Sequence, residues 1–231
     1  MFGFKFSKII NDINYVLLPP VCFGCNAQLI RGEHPLCTVC RYDLPITEFN
    51  FSQENAVDRI FFGKVPIAKA VSFVYFSKKG IVMQLLHHLK YGNQPQIGDF
   101  LGKWFGEALV AQGNLPKFDA VIPVPLHPKK RRKRGYNQMD SFGKQLANYV
   151  KAPFVTNALV KKTNTQTQTK KNRLDRLFKS DGVFEITDPK LLEGKHILLV
   201  DDVITTGATL VSCAKALLTT KDVTIYVAAI A

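Results

Sequence analysis

Apolar runs and amphipathic segments alternate along the second half of the chain, from residue 119 onward. Short runs rich in β-branched residues predict strands at 120–124, 183–186, 196–200 and 223–230. Apolar positions that recur at helical spacing predict helices at 138–150 and 208–218. The runs ILLV and VTIYVAAI within the last two strands carry no charge, as in parallel strands that helices cover on both faces. The pattern therefore predicts a doubly wound α/β domain.

The first half of the chain is less regular. β-branched and aromatic runs predict short strands at 60–62 and 70–76, and leucine-rich periodic segments predict helices at 80–90 and 97–111. Residues 42–55 are polar enough to form a connector. His87 and His88 are adjacent on a predicted helix and face different ways, so we interpret them as core or surface residues rather than ligands.

The N-terminal segment is amphipathic. Apolar residues between Phe6 and Leu17 recur at helical spacing and predict a helix that ends at Pro19. Asn11 and Asp12 interrupt the apolar run that a signal peptide needs, and no run of eighteen apolar residues occurs anywhere. We therefore expect a cytoplasmic protein without a membrane span, with a helix lying on a membrane surface as the alternative.

Four of the five cysteines form two C-x2-C pairs, Cys22 with Cys25 and Cys37 with Cys40. Each pair can turn two thiolates toward one centre, and together they supply the four ligands of a tetrahedral, structural Zn²⁺ site. All four positions would then be filled, which leaves no place for a catalytic water. The spacing predicts a small zinc module within residues 1–58, followed by the α/β domain at 59–231.

Other roles are open to these cysteines. Two disulfides or a redox C-x-x-C pair are the alternatives, and a reducing compartment disfavours both. His34 could replace one thiolate at the metal. Cys213 stands alone among small and apolar residues of a predicted helix, and we expect it to be a core thiol.

The segment ILLVDDVITTGAT, residues 197–209, carries the most specific chemistry. In open α/β sheets, ligands bind where loops leave the carboxyl ends of strands and enter helices. Backbone amides and hydroxyls of 205–209 can form a cradle for a phosphate monoester, and Gly207 lets the backbone approach. Asp201 and Asp202, just before the cradle, can accept hydrogen bonds from sugar hydroxyls or join a Mg²⁺ shell. A receiver domain, which also has paired aspartates, lacks the TTGAT loop. The segment therefore predicts a sugar 5-phosphate site.

The same segment resembles, at every defining position, the phosphoribosyl pyrophosphate (PRPP) motif of type I phosphoribosyltransferases. The four-cysteine module, LKYG at 89–92, VIPVPLH at 121–127 and RGYNQ at 134–138 extend the resemblance to the ComF family of competence proteins. A Thr165-x-x-Gln168 loop followed by Arg176 fits the same family. Lys130 and Lys171 stand where many members carry arginine and leucine. The resemblance covers nearly the whole chain and implies a phosphoribosyltransferase-like fold and a part in bacterial DNA uptake.

The resemblance also implies roles for individual residues. Asp201 and Asp202 would contact the ribose hydroxyls. The 5-phosphate would be bound by Thr205, Thr206, Gly207, Ala208 and Thr209. The basic loop after the strand at 121–125 would approach the pyrophosphate, with Arg134 as the main charge partner beside Lys130 and Arg131. Residues 161–176, with Thr165, Gln168 and Arg176, would form a loop that closes over the site. Mg²⁺ would accompany PRPP, and no residue is singled out as a catalytic base.

The net charge of +13 is concentrated in two segments. KKRRKR at 129–134 carries six positive charges, and 161–179 has an excess of six. PRPP carries on the order of five negative charges, so this surplus suggests a longer polyanion such as nucleic acid. A solvated basic loop or a nuclear-import signal is the alternative for 129–134.

Three functional hypotheses follow. In the first, the fold binds PRPP and single-stranded DNA, with Tyr91, Tyr136 and Phe178 as candidate stacking surfaces. In the second, the protein is an active phosphoribosyltransferase that transfers phosphoribose to an unknown acceptor. In the third, the zinc module contacts a helicase or pore component of the DNA-uptake apparatus.

Overall fold

A parallel sheet forms the centre of the protein, whose computed structural model describes residues 19–162 and 183–231. The described strands are β1 (Lys69–Ser72), β2 (Ala120–Pro123), β3 (Leu159–Lys161), β4 (Phe184–Ile186), β5 (His196–Asp201) and β6 (Thr224–Ala229). The central sheet has the order β1-β6-β5-β2 with every pair parallel. β3 and β4 form a separate antiparallel pair. Val121 of β2 also bridges Phe154 in parallel, which extends the far edge of the sheet.

Helices connect and cover these strands. They are α1 (Thr38–Tyr42), α2 (Ala56–Arg59), α3 (Ile81–Tyr91), α4 (Pro95–Ala111), α5 (Pro128–Arg134), α6 (Met139–Val150) and α7 (Ala208–Leu217), with a 3₁₀ turn at Pro189–Leu192. Of the described helices, none is long and apolar enough to cross a bilayer. The helix predicted near the N-terminus lies outside the described residues.

Alternation along the strands divides the core in two, because successive side chains point to opposite faces of a sheet. Leu198 and Val200 of β5 face one cluster, which is shared with α3, α4, α6 and the cysteine module. Ile197 and Leu199 face the other, which is shared with α7. Cys213 is fully buried in this second cluster, as expected for a core thiol. The prediction of a parallel sheet covered on both faces is confirmed.

Three glycines let α4 approach α6 closely. Gly98, Gly102 and Gly106 recur every fourth residue on one side of α4. A Cβ atom at Gly102 would lie 2.6 Å from the carbonyl oxygen of Phe142, and one at Gly106 would lie 2.4 Å from the Tyr149 ring. Side chains larger than hydrogen would therefore push the two helices apart.

The cysteine module packs directly on α3 and α4. Cys22 and Leu36 share a buried cluster with Leu85 of α3. The ring of Phe23 lies 5.1 Å from that of His88, centroid to centroid. The Arg41 guanidinium lies 5.3 Å from the centroid of Phe100 on α4. Division of the chain at residue 58 stays a prediction.

Two of the predicted elements are wrong. Residues 60–62 do not form a strand; they follow α2, whose start is fixed by a capping box in which Asn55 and Asp58 bond each other's backbone amides. The segment after β2 is not a loop but the helix α5. His127 caps it through the Lys129 amide, Pro128 occupies its first turn, and Gly135 ends it in the left-handed conformation at φ 81°. Its lysines and arginines have high helix propensity.

Candidate functional site

Asp201 and Asp202, the acidic pair, lie at the carboxyl end of β5. Because β2 pairs with β5 in parallel, both strands end at the same edge of the sheet. Asp202 is 8% exposed. One of its carboxylate oxygens lies 2.8 Å from Nζ of Lys90, near the end of α3. The other accepts a hydrogen bond of 2.7 Å from Nε2 of Gln138, just before α6. Side chains from two other parts of the fold therefore hold both oxygens of Asp202.

Asp201 has a different environment. Its Oδ1 accepts a hydrogen bond of 2.9 Å from the backbone amide of Asp202. Desolvation by burial raises the pKa of Asp201 to about 7, and the neighbouring Asp202 carboxylate acts in the same direction. Lys90 and Lys161 oppose that rise. The pair is thus two carboxylates at close range whose mutual repulsion lysines only partly offset.

The loop after the pair is anchored from both sides. The Ile204 amide donates to the carbonyl of Ala231 at 2.7 Å, and the Ala231 amide donates to the carbonyl of Asp202 at 3.0 Å. Gly207 adopts φ 73°, which favours glycine, and precedes the first turn of α7. The five residues predicted to bind phosphate therefore lie together at the N-terminus of a ten-residue helix. Backbone amides in this arrangement favour an anion.

A segment distant in sequence covers the outside of this loop. A Cβ atom at Gly207 would lie 2.9 Å from Cγ2 of Ile60 and 3.4 Å from the ring of Phe61. Nζ of Lys64 donates to the carbonyl of Thr206 at 3.1 Å. This carbonyl belongs to the same peptide group as the Gly207 amide, so the bond makes that amide a stronger hydrogen-bond donor. No motif in the sequence pointed to Lys64.

The RGYNQ motif connects the end of β2 to the acidic pair. The Tyr136 hydroxyl donates to the carbonyl of Leu89 on α3. Asn137 is buried and donates from Nδ2 to the carbonyl of Val124 at 3.2 Å, while its Oδ1 accepts from the Met139 amide. Gln138, the last residue of the motif, reaches Asp202. RGYNQ and LKYG therefore meet at one place, which their sequence separation does not reveal.

The basic helix α5 lies beside the same edge. Arg131 and Arg132 line a cavity of about 270 Å³ together with Asn137, Asp140 and Lys161. Burial raises the pKa of Asp140, and Arg131 and Lys144 oppose that rise. The backbones of Lys130 and Arg134 belong to α5 as well. Of the three predicted pyrophosphate residues, Arg131 is thus placed at a cavity next to the sheet edge.

The predicted closing loop begins at Lys161, the last residue of β3. Nζ of Lys161 lies over the Phe184 ring of β4, 5.3 Å from its centroid, so the side chain that begins the predicted loop is held against the paired strand. Thr165, Gln168, Arg176 and the candidate stacking residue Phe178 lie outside the described residues.

The four cysteines of the N-terminal module converge on one centre. Their sulfur atoms all lie within 4.8 Å of one another. Backbone amides of Gly24 and Cys37 donate to Sγ of Cys22, each at 3.3 Å. Such donors stabilise thiolate charge. The four residues that the spacing predicts as ligands are therefore brought together and could hold a metal such as zinc. His34 is not part of this cluster in the described chain.

Several known proteins are similar to this chain in sequence. Residues 141–231 match the family model described as the phosphoribosyl transferase domain. Over 207 residues the chain is 36% identical to competence protein F of Haemophilus influenzae, covering 85% of this chain and 83% of that protein. The chain belongs to the ComF family.

More distant ComF-family relatives align over most of the chain. Identity to DNA utilization protein YhgH of Escherichia coli O157:H7 is 26% over 225 residues, covering 91% of this chain and 96% of that protein. Identity to competence protein ComFC of Bacillus subtilis is 25% over 217 residues, covering 93% of this chain and 85% of that protein. The alignments thus include the cysteine module as well as the type I phosphoribosyltransferase-like sheet.

The ionisation of Asp201 should change the free energy of unfolding of the protein. Because its folded-state pKa lies near 7, above the ordinary 3.8, protonation stabilises the fold. That stability is fully present below pH 3.8 and is lost progressively as pH rises from there through about 7. Asp201→Asn imitates the protonated form and keeps the acceptor for the Asp202 amide. At pH 8 the variant should be more stable than the wild type by about 1–3 kcal/mol in urea unfolding, and by less at pH 5. An equal difference at both pH values would contradict this assignment.

Proposed function

We propose that this ComF-family protein binds PRPP together with Mg²⁺ at the carboxyl edge of its sheet, and binds single-stranded DNA beside it during DNA uptake. The observation that carries the proposal is the meeting of three features at one edge. These are the acidic pair after β5, the helix N-terminus at 205–209 and the basic helix α5. Each is suited to a different part of PRPP.

The first two features suit a ribose 5-phosphate. The first turn of α7 offers backbone amides to a phosphate, and the exposed hydroxyls of Thr209 in that turn and of Thr205 and Thr206 just before it are available as well. The acidic pair precedes this cradle by only a few residues and offers acceptors for sugar hydroxyls. A site that binds a phosphate and a vicinal diol of one ligand suits a pentose 5-phosphate.

The third feature suits the pyrophosphate. Arg131, Arg132 and Lys161 line one cavity beside the edge. Guanidinium groups bind phosphate oxygens through paired hydrogen bonds. Mg²⁺, when bound with PRPP, would neutralise part of the diphosphate charge. The described chain therefore supplies cations after β2, the strand that pairs with β5.

Binding of PRPP is directly measurable. Isothermal titration with Mg²⁺ and PRPP should give saturable heat for the wild type and none for Asp201→Asn combined with Asp202→Asn. The matched control is Asp222→Asn, an exposed aspartate in the turn before β6, at the opposite edge of the sheet. It should bind like the wild type. Heat from the double variant equal to that of the wild type would refute the site.

The surplus positive charge supports the DNA part of the proposal. The run of six cations at 129–134 includes Lys129, Arg131 and Arg132 of α5. One PRPP molecule can neutralise only a few of the positive charges on 129–134 and 161–179. Tyr91 is 73% exposed at the end of α3, next to Lys90. Aromatic rings beside a basic groove are how many proteins hold single strands without sequence preference. Two relatives are named for DNA utilization and competence.

Electrostatic binding predicts a salt effect that α5 should dominate. Affinity for a fluorescent oligothymidine should fall steeply with salt. Replacing Lys129, Arg131 and Arg132 by Gln should reduce the log–log slope by about 0.7 for each phosphate that these side chains neutralise in the wild type. The control replaces Lys117, Lys190 and Lys221, which precede β2, β5 and β6 at the opposite edge. Equal slopes for the α5 variant and the wild type would place the DNA contact elsewhere.

We further propose that the four cysteines hold a structural Zn²⁺. Zn–S bonds of about 2.3 Å in a tetrahedron require sulfur atoms about 3.8 Å apart. Sγ of Cys25 and Sγ of Cys37 lie 3.8 Å apart. A Cβ atom at Gly24 would lie 2.9 Å from Sγ of Cys40, so this position must stay small for the thiolates to converge. The donor set therefore fits zinc.

Metal content tests this assignment. The purified wild type should contain one zinc per chain, and chelation should melt the module because so small a unit depends on its metal. Cys25→Ser removes an exposed ligand and should lower both the zinc content and the melting temperature. Cys213→Ala, in the separate core, should keep one zinc. Full zinc content in the Cys25 variant would exclude it as a ligand.

Transfer of phosphoribose is the alternative function. The observation in its favour is the half-buried Asp140, which lines both the cavity of about 270 Å³ and a second of about 530 Å³ beside Tyr136 and Ser141. A carboxylate there could accept a proton from an acceptor. Release of pyrophosphate on addition of PRPP and an acceptor library would favour this alternative, and its absence with PRPP bound would favour a binding role.

A further inference from the structure

The two carboxylates of the acidic pair are not equivalent. The family resemblance implies that both Asp201 and Asp202 contact the ribose hydroxyls. In the folded chain, Oδ1 of Asp202 lies 2.8 Å from Lys90 and Oδ2 lies 2.7 Å from Gln138. The side chains of Lys90 and Asp202 are only 25% and 11% exposed. Asp202 is therefore engaged before any ligand arrives.

This engagement fixes the orientation of Asp202. A carboxylate bound at both oxygens cannot rotate without breaking a charged hydrogen bond in a site that little water reaches. Lys90 comes from α3 and Gln138 from the turn before α6, so the two donors approach from separate elements. Each of these elements is anchored in turn, because α3 packs in the first core cluster and Met139 is fully buried.

The fixed residue in turn positions its neighbour. The Asp202 amide donates to Oδ1 of Asp201 at 2.9 Å. Among the hydrogen bonds of the described residues, Oδ2 of Asp201 receives none, and Asp201 is half-buried. This oxygen is therefore held in place and available to a ligand hydroxyl at the edge of the sheet.

We propose that Lys90 is a specificity-determining residue that, together with Gln138, holds the acidic pair rigid so that the site selects ribose over 2-deoxyribose. The inference rests on the proposed binding of a ribose 5-phosphate. Lys90 acts through Asp202, so its role is to position the pair.

Rigidity of the acidic pair favours ribose over 2-deoxyribose because a ligand that lacks the hydroxyl leaves a fixed acceptor without a hydrogen bond. A mobile, hydrated carboxylate can turn to water when the hydroxyl is absent, and it then discriminates weakly. A fixed and partly buried acceptor is left unpaired, which penalises the deoxy ligand. Lys90 also balances part of the like charge of the pair, which keeps both carboxylates able to accept hydrogen bonds. Lys161 is the other cation that acts on Asp201.

The test compares two ligands that differ by one hydroxyl. Affinities for ribose 5-phosphate and 2-deoxyribose 5-phosphate are measured by titration for the wild type, Lys90→Met, Lys90→Arg and Gln138→Met. The wild type should prefer ribose 5-phosphate by roughly tenfold or more. Lys90→Met should reduce the preference to within about threefold, because the loosened pair binds the ribose hydroxyl less well and no longer penalises the deoxy ligand. Lys90→Arg should keep most of the preference, since a guanidinium can still donate to Asp202.

Controls separate positioning from folding. Lys103→Met, on the exposed side of α4, should behave like the wild type. Gln138→Met removes the other donor and should give an intermediate preference, which tests the idea even if Lys90→Met fails to fold. Equal loss of affinity for both ligands in Lys90→Met, an unchanged preference, or no preference in the wild type would overturn the inference. Failure of the wild type to bind PRPP would instead overturn the proposed function.

Discussion

The ion pair between Lys90 and Asp202 is the contact on which the arrangement of the site depends. It joins the end of α3 to the end of β5, two elements more than a hundred residues apart in the chain. Gln138 adds the end of the β2 connection to the same carboxylate. Charged residues at this depth are tolerated only when paired and hydrogen-bonded, so Asp202 depends on both Lys90 and Gln138. The ion pair between Lys90 and Asp202 therefore contributes both to the packing of the fold and to the geometry of the site.

The same helix joins the site to the cysteine module. Leu85 and His88 of α3 contact the module, and Lys90 follows one half-turn later. The module is too small to have a large core of its own, so its cysteines and its contacts with α3 and α4 must hold it together. Anything that loosens this module therefore loosens the helix that positions Lys90. A structural metal in the module would in this way still affect the position of Lys90.

Much of this architecture could be predicted from the sequence, and the failures have physical causes. The charge-free strands, the cysteine spacing and the TTGAT loop are local patterns, and each lies where it was expected. The capping box at Asn55 starts a helix next to residues 60–62, whose β-branched and aromatic composition predicted a strand. The cap at His127 starts α5 in a basic segment that was predicted to be a loop. No motif in the sequence identified the partners of Lys64 and Lys90. Thr206 and Asp202 are distant from these lysines in the sequence, and only the packing of the folded chain brings them into contact.

The acidic pair illustrates why such a site is not optimised for stability. Two carboxylates in succession at a buried edge raise the pKa of Asp201 to about 7 through desolvation and through the charge of Asp202. A single carboxylate with one lysine would cause less repulsion. The fold instead keeps both and places two lysines nearby, so the pair remains partly uncompensated. Residual negative charge of this kind favours a ligand that donates hydrogen bonds or a cation, and the helix N-terminus a few residues away favours an anionic group on the same ligand.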